Sequence, residues 1–459
     1  MSSRLIRHLP ALLVLIPAIA LGCFTSERAQ ILGKQHPDID FESMAHHMKQ
    51  QERVDYDYSG PARCIAGSAD KFDCHQVSLS GWLDLPTIGG GSGADNWGWV
   101  HADSGRRFAL MGRSNGVSFV EITNPDDPVY LGNLPRPDGV GTSTWSDIKT
   151  YDDHAFMVAD AVSGHGIQVF DLTRLLDVDP EDPQTFDHDA HFTGEAGGNT
   201  LHSAHNIAIN EQSGYAYAVG GNLCSGGLYM VDIRQPTNPT YAGCFADDGY
   251  THDVQCVVYR GPDEAYQGRE ICFASNEESV TIVDVTDKAN PVQVGRHTYD
   301  DAAYTHQGWL TGDQRYFLTD DELDETSNDL AGTRTLIFDF ESLEEAPDPA
   351  EYIADGLSID HNQYVIGDYV FQANYQRGLR ILRIDDPATA ELTEVAWFDT
   401  FPEDAPLGFD GAWSVFPYFA DGSVLVSDIN RGMFILRVDD PDVAAVLDGL
   451  LFRDRFRQE

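Results

Sequence analysis

A unit of roughly fifty residues recurs along most of this chain, and no other feature restricts its possible folds as strongly. Each unit opens with a His or a Trp that is followed by alternating apolar residues, and successive openings lie 47 to 60 residues apart. This spacing is typical of a four-stranded propeller blade with loop insertions. The seven openings are Trp97, Trp145, His205, His252, His306, His361 and Trp413. They predict an all-β fold, a seven-bladed β-propeller.

The third strand of each unit has the clearest pattern, as in GIQVFDL from Gly166 and VTIVDV from Val280. The seventh unit has no fourth strand after Arg437. A matching strand pattern, VSLSGWLDL, instead precedes the first opening at residues 77–85. We expect this N-terminal strand to complete the last blade, because closing the ring removes a free sheet edge.

The third strands, VTIVDV above all, resemble the LVIVD repeat of bacterial and archaeal surface proteins. The stretch from about Val77 to Arg437 resembles the choice-of-anchor B family through the segments NWGWV, GYTHDVQCVVYRGP, YTHQGWLTGDQRYFLTDDELDE and GAWSV. The resemblance implies an extracellular domain that is held at the surface by varied anchoring signals. It implies no established reaction, so it informs architecture and location more than chemistry.

Residues 1–23 read as a lipoprotein signal peptide. Arg4 and Arg7 precede an apolar stretch that is short for a membrane span, and small residues lead to Cys23. We expect Cys23 to be lipidated, so that the lipid is the membrane contact; the alternative is an ordinary secretory signal that is cleaved nearby. Phe24 stands where an inner-membrane retention signal would have Asp. This favours the outer membrane or cell surface of a Gram-negative bacterium over the periplasm or secretion.

The remaining chain divides into a polar tether at 24–76, the propeller at 77–437 and an acidic, partly helical tail at 438–459. An even number of cysteines remains after Cys23, which in an exported chain indicates disulfides. Their clustering favours the pairs Cys64–Cys74, Cys224–Cys244 and Cys256–Cys272, although spacing alone leaves other connectivities open. The first pair closes a small loop within the tether.

The charge of the chain excludes one class of partner. With 29 Lys and Arg against 74 Asp and Glu, the formal net charge is −45. A nucleic-acid binder needs a basic face to displace counterions, so nucleic acid is not expected as a partner. Such a surface attracts cations instead. We expect the carboxylates to lie mainly on turns, outer strands and tails.

Four of the seven openings are histidines, and this is the sharpest chemical signal in the chain. The first strand of a blade lines the central channel, so His205, His252, His306 and His361 should converge there beside channel-lining Trp97, Trp145 and Trp413. Neutral imidazole binds Zn, Cu, Fe or Ni. Asp253, Asp360 and His202 are candidates for orienting the rings. The alternative is that the histidines are packing residues near the channel, as the three Trp at equivalent positions suggest.

The densest carboxylate segment is DDELDE at 320–325. Asp320, Asp321 and Asp324 are candidate Ca²⁺ ligands, although the spaced pattern of an EF-hand loop is missing. One alternative is a solvated acidic loop, and another is that Asp320 or Asp321 faces the channel, because these two residues end a second strand. No G-x-S-x-G elbow or phosphate-binding loop is present. The sequence therefore leaves two hypotheses. One is a binding or scaffold module for a protein, glycan or small molecule, and the other is a metal-dependent enzyme with its site in the channel.

Overall fold

The computed structural model describes residues 58, 60–328, 330–403 and 407–453. The proposed signal peptide with Cys23, and most of the 24–76 segment, lie outside the described residues. The described chain is a ring of seven antiparallel sheets, so the prediction of a seven-bladed β-propeller is confirmed.

Four consecutive strands form most blades. Blade 1 comprises β4 Gly93–Val100, β5 Arg107–Arg113, β6 Gly116–Glu121 and β7 Val129–Pro135. Blade 2 comprises β8 Ser146–Tyr151, β9 His154–Ala159, β10 Ile167–Asp171 and β12 Ala190–Phe192. Blade 3 comprises β15 Asn206–Asn210, β16 Tyr215–Val219, β17 Leu228–Asp232 and β18 Thr240–Phe245. Short strands β11 Gln184–Thr185, β13 Glu195–Ala196 and β14 Asn199–Thr200 lie in the long connection before blade 3, and β11 pairs with β7.

The remaining blades follow the same order. Blade 4 comprises β19 Asp253–Val258, β20 Glu270–Ser275, β21 Val280–Asp284 and β22 Val292–His297, and blade 5 comprises β23 Thr305–Leu310, β24 Tyr316–Asp321, β25 Arg334–Asp339 and β26 Ala350–Ile353. Blade 6 comprises β27 Gln363–Ile366, β28 Tyr369–Ala373, β29 Leu379–Asp386 and β30 Glu391–Phe398. Blade 7 contains β31 Ala412–Phe416, β32 Ser423–Asp428 and β33 Gly432–Val438.

The seven first strands form the inner wall of the ring. Each first strand contacts the first strand of the next blade, and β31 of blade 7 contacts β4 of blade 1. The second and third strands are almost wholly buried because both of their faces pack against neighbouring blades. Burial on both faces explains why these strands read as nearly continuous apolar runs.

The fourth strand of blade 7 comes from the N-terminal side of the chain. Strand β3, Val77–Leu83, pairs antiparallel with β33, as the sequence predicted. The Trp82 ring stacks on the Phe434 ring with centroids 5.6 Å apart, and the indole N–H donates to the Arg431 carbonyl. The two ends of the propeller sequence are therefore joined by both strand pairing and aromatic packing.

The segment before β3 is partly structured. Strands β1 Ser68–Ala69 and β2 Phe72–His75 form a hairpin that pairs with β30 and widens blade 6. The Cys64–Cys74 bond closes this hairpin, and Cys224–Cys244 and Cys256–Cys272 form the other two predicted disulfides. Cys256 and Cys272 face each other across β19 and β20. Three disulfides indicate an oxidising compartment.

Helices are few. They are α1 Asp324–Ser327, α2 Pro441–Arg453 and the 3₁₀ turns Leu172–Asp177, Cys224–Gly226 and Pro387–Thr389. Helix α2 follows the last blade and buries Val443 and Leu447 against the core of blades 6 and 7. Within the described part of the chain, no helix has the length and apolar character that crossing a bilayer requires.

The closure predicts a stability effect. Phe434 is fully buried and contacts the rings of Phe72, Trp82 and Phe398, so it links the hairpin, the closing strand and blades 6 and 7. Phe434→Ala should cost about 3–5 kcal/mol of folding free energy and lower the melting temperature measured by circular dichroism. Val292→Ala is the control, since that side chain is 59% exposed and should change stability little. Equal melting temperatures for Phe434→Ala and the original chain would contradict this account of closure.

Candidate functional site

Four imidazole rings form a continuous row at one end of the ring axis. The centroid of His252 lies 4.4 Å from that of His205 and 4.1 Å from that of His306, and His306 lies 4.3 Å from His361. All four side chains are buried. Each precedes or opens the first strand of its blade, so the ring geometry brings together residues that lie about fifty positions apart in the sequence. We call this level of the axis the imidazole end.

Each ring is held through its Nδ1 atom. His252 Nδ1 donates to the His306 carbonyl at 2.9 Å, and His361 Nδ1 donates to the Trp413 carbonyl. The Nδ1 atoms of His205 and His306 lie 3.0 Å and 3.2 Å from carboxylate oxygens of Asp160 and Asp320. Donation from Nδ1 places the lone pair of a neutral imidazole on Nε2, which is the atom that binds metal ions.

Burial also favours the neutral rings. Desolvation, together with the neighbouring imidazoles, lowers the pKa of His306 well below its ordinary value. Burial lowers the pKa of His361 to about 3, although its bond to the Trp413 carbonyl acts in the opposite direction. Neutral imidazole is the metal-binding form, so these two rings need not lose a proton before they bind an ion.

Glu322 supplies a carboxylate to this row. Its Oε2 lies 3.8 Å from His306 Nε2 and its Oε1 lies 3.9 Å from His361 Nε2. Ligand atoms of these three residues all lie within 4.8 Å of one another, which is close enough to share one ion. The Tyr375 hydroxyl donates to Glu322 Oε1 at 2.6 Å. Burial and the Glu322 charge raise the pKa of Tyr375, so Tyr375 keeps its proton and orients this carboxylate.

The structure places the predicted orienting residues elsewhere. Asp253 accepts from the Val254 backbone, and burial together with Asp147 raises its pKa to about 7. The Asp360 oxygens have no hydrogen-bond partner among the described residues. His202 is exposed and its ring contacts Thr200. Asp160, Asp320 and two backbone carbonyls hold the rings instead.

The three tryptophans do not share one level. Trp145 and Trp413 lie at the imidazole end in one apolar cluster, and the blade 1 residue in that cluster is Ala94. Trp97 lies three residues further along β4 and packs against Tyr364 and other aromatic residues. Strand β4 begins earlier than its aromatic residue suggests, so the alignment of Trp97 with Trp145 and Trp413 was wrong.

Trp97 belongs to an aromatic cluster at the other end of the axis. Its ring centroid lies 5.8 Å from Tyr364 and 5.0 Å from Phe416, and Trp309 lies 4.9 Å from Tyr364. Blades 1, 5, 6 and 7 contribute these rings, so they pack together across the axis. We call this level the aromatic end. The axis therefore has imidazole rings at one end and a cluster of larger aromatic rings at the other.

A buried charge cluster adjoins the aromatic end. The Lys149 ammonium lies 3.1 Å from the Asp95 carboxylate, also bonds to Asp147, and stands 4.7 Å from the Trp97 ring centroid. Burial tends to raise the pKa of Asp147, but Lys149 and hydrogen bonds more than offset burial, so the pKa is lowered. Asp147 also accepts from the Ile207 backbone at 2.6 Å, so the cluster links blades 1, 2 and 3.

The acidic segment 320–325 is not a solvated loop. Asp320, Asp321, Asp324 and Glu325 are each at most 2% exposed. The expectation that these carboxylates belong to a solvated rim was wrong, because the segment ends β24 and turns inward as α1. Asp320 bonds to His306, whereas Asp321 accepts from the backbone of Ala303 and Tyr304.

Sequence reasoning missed Glu322, Tyr375 and Asp160 as parts of the site. Glu322 and Asp160 follow the ends of second strands, where several blades carry a polar residue. That pattern was visible, but nothing local shows which of these carboxylates faces an imidazole of a neighbouring blade. Tyr375 lies in a turn, and its contact with Glu322 spans 53 positions.

The family comparison agrees with the blade assignment. The model of the LVIVD repeat matches residues 203–247 and 271–299, which fall in blades 3 and 4. The chain is an LVIVD-repeat propeller. None of the curated proteins compared with it is similar.

Three solved structures are similar to this LVIVD propeller. One is a candidate 6-phosphogluconolactonase of Bacteroides fragilis, with 14% identity, a TM-score of 0.45, and 65% of this chain and 82% of that chain covered. Hydrazine synthase of Kuenenia stuttgartiensis has 12% identity and a TM-score of 0.47, with 72% and 92% covered. The Swd1 (Cps50) propeller domain of Myceliophteria thermophila has 10% identity and a TM-score of 0.46, with 78% and 98% covered.

The Lys149 cluster predicts a pH-dependent loss of stability. Lys149→Met leaves Asp95 and Asp147 buried without their cation, which should cost about 3–5 kcal/mol near neutral pH. Burial raises the pKa of both carboxyls and Lys149 opposes it, so without Lys149 both pKa values lie higher in the folded variant than in the unfolded chain. A raised folded-state pKa destabilises the variant at high pH, and this penalty is lost as pH falls and the two carboxyls take up protons. The melting-temperature difference between the original chain and Lys149→Met should therefore be largest at pH 7 and should shrink towards pH 4.

Lys71→Met is the matched control. Lys71 is exposed, so this substitution should change the melting temperature little at any pH. A Lys149→Met deficit that is constant from pH 7 to pH 4 would show that lost packing, and not lost charge pairing, explains the effect.

Proposed function

We propose that this LVIVD propeller is an exported binding module that holds a divalent transition-metal ion at its imidazole end. The observation that carries the proposal is the grouping of His306, Glu322 and His361, whose ligand atoms lie within 4.8 Å of one another. His252 and His205 continue the row and offer further imidazoles. Nitrogen donors with one carboxylate suit Zn, Fe, Cu or Ni, whereas Ca²⁺ and Mg²⁺ prefer oxygen alone.

The packing alternative for the histidines is less consistent with this chemistry. Nδ1 of each ring has a fixed acceptor, and Glu322 stands opposite the Nε2 atoms of His306 and His361. Metal-binding histidines usually donate their other ring N–H to a fixed acceptor of this kind. Tyr375 fixes the carboxylate in the same way.

Metal analysis tests the proposal directly. Full-length protein purified without chelators should contain one transition-metal ion per chain by inductively coupled plasma mass spectrometry. The double variant His306→Ala/His361→Ala should lose at least nine-tenths of this metal. His202→Ala is the matched control, because His202 is an exposed imidazole near the same end of the ring, and it should keep the metal. Metal-free original protein that also fails to take up Zn, Fe, Cu or Ni would refute the proposal.

A metal-dependent enzyme is the second candidate function. Two imidazoles and one carboxylate leave exchangeable positions on an ion, as catalytic sites require, whereas structural metal sites are closed. Cobalt-substituted protein tests for such a position, because an added anion such as azide then changes the visible spectrum. An unchanged spectrum at saturating azide would indicate that His205, His252 or other groups close the coordination sphere, and would favour binding without catalysis.

Export and anchoring form the remaining part of the proposal. Three disulfides and the LVIVD repeats support an extracellular location, and residues 1–23 support a lipid anchor. We infer that the protein belongs to the choice-of-anchor B family and presents the propeller at the outer membrane or cell surface. Its partner there, a protein, glycan or small molecule, would bind through the loops of one face.

Lipidation can be tested by labelling. Full-length protein expressed in a Gram-negative host with radiolabelled palmitate should incorporate label and sediment with membranes. Cys23→Ser should abolish labelling and leave the protein in the soluble fraction. Cys64→Ser serves as the cysteine control, since it should reduce stability but keep the label. If the original protein takes up no label, the lipid-anchor proposal is wrong, and residues 1–23 are an ordinary secretory signal.

A further inference from the structure

The turn that carries Tyr375 fixes the position of this side chain. Tyr375 lies two residues after the end of β28, and its φ of 37° falls in the left-handed region, which residues other than glycine rarely enter. Ala161 and Glu277 have the same conformation at the same position in blades 2 and 4, so the turn belongs to the repeat. In blade 6 the Tyr375 carbonyl accepts from the Gly378 backbone at 3.0 Å and from the Ala412 backbone of blade 7 at 2.8 Å. Blade 6 therefore carries a tyrosine at a point where the backbone is held from two sides.

Three aromatic rings fix the direction of the Tyr375 side chain. Its ring centroid lies 4.6 Å from that of His361, 5.3 Å from that of Phe409 and 6.4 Å from that of Trp413. Tyr375 is only 1% exposed, and such close packing leaves the hydroxyl little freedom to change partners. The hydroxyl donates to Glu322 Oε1 at 2.6 Å, so this carboxylate oxygen has a fixed donor.

The two carboxylate oxygens of Glu322 therefore differ. Oε1 accepts the Tyr375 hydrogen bond, whereas Oε2 is the oxygen that lies 3.8 Å from His306 Nε2. Carboxylates that bind metal ions are commonly hydrogen-bonded in this way, and an oxygen that accepts a short hydrogen bond is the weaker metal ligand of the two. Glu322 is thus prepared to bind an ion through one oxygen, Oε2, and not through both.

On the basis of the transition-metal site proposed above, we propose that Tyr375 makes this site selective for Zn²⁺ over Mn²⁺. Two imidazoles and one glutamate oxygen are the three protein ligands of a tetrahedral zinc site with one open position. A glutamate that bound through both oxygens would add another oxygen donor and would suit Mn²⁺, which prefers six oxygen-rich ligands. Because Tyr375 occupies Oε1, the site keeps its low coordination number and its open position.

The metal preference of a tyrosine variant tests this role. Tyr375→Phe removes the hydroxyl and keeps the ring. Full-length protein is stripped of metals, and its dissociation constants for Zn²⁺ and Mn²⁺ are measured by competition with a metal-binding dye. The original chain should bind Zn²⁺ more tightly than Mn²⁺, and Tyr375→Phe should reduce the ratio of the two affinities about tenfold. If both affinities fall equally, Tyr375 has only a structural role and the proposal is wrong.

Cobalt reports the coordination number directly. Four-coordinate Co²⁺ absorbs visible light much more strongly than six-coordinate Co²⁺. The cobalt-loaded original chain should therefore show strong visible bands, and Tyr375→Phe at equal loading should show weaker bands, because Oε1 of Glu322 becomes available to the ion. A change in folding stability alone would not alter the spectrum of the bound ion.

Tyr217→Phe is the matched control. Tyr217 is fully buried and likewise donates to a buried glutamate, Glu270. Glu270 begins β20, whereas Ser275 at the other end of this strand accepts from the His252 backbone, so the control hydrogen bond lies away from the imidazole end. Tyr217→Phe should leave both the affinity ratio and the cobalt spectrum unchanged.

The outcomes separate this proposal from the one on which it rests. An original chain that takes up neither Zn²⁺ nor Co²⁺ would refute the transition-metal site and the role of Tyr375 together. An original chain that binds both ions but gives the weak spectrum of six-coordinate Co²⁺ would overturn the role of Tyr375 alone, and this measurement does not require Tyr375→Phe to fold. An affinity ratio and spectrum that are unchanged in Tyr375→Phe would overturn it as well.

Discussion

Pairing of β3 with β33 is the contact on which the rest of this structure depends. Seven blades arranged in an open row would leave one face of the first blade and one face of the last blade without a packing partner, and their first strands would not surround an axis. Because the closing strand comes from the N-terminal side and the other three strands of blade 7 from the C-terminal side, the ring closes only when both ends of the propeller sequence meet. The Trp82–Phe434 stack reinforces that junction.

Ring closure brings residues that occur once in each blade together in a single site. Each blade presents the start of its first strand to the same point on the axis, so a residue repeated every fifty positions becomes one of a set of neighbours. Four consecutive blades place His there, and the rings of successive blades lie 4.1 to 4.4 Å apart. Further along the same strands, aromatic side chains and the Lys149 cluster fill the axis. The axis therefore carries imidazoles at one end and aromatic rings, with a buried charge cluster beside them, at the other.

The sequence predicted the features that the repeat determines. It did not predict the features that depend on contacts between different blades. Blade number, the closing strand, three disulfide pairs and the four imidazoles all followed from spacing and periodicity. The Trp97 alignment failed because an aromatic residue marks a strand but not its register. Glu322, Tyr375 and Asp160 were missed because their roles depend on which neighbouring blade they face. Segment 320–325 looked like a solvated loop because charge alone does not reveal that β24 and α1 turn it inward.

The account rests on one claim, that the imidazole end binds a transition metal through His306, His361 and Glu322. Anomalous diffraction from crystals of the purified protein, recorded at the absorption edge of the metal found in it, tests this claim most directly. The account predicts a single strong anomalous peak between the Nε2 atoms of His306 and His361 and the Glu322 carboxylate. A map without a peak there, from crystals grown with Zn, Fe, Cu or Ni present, would contradict it.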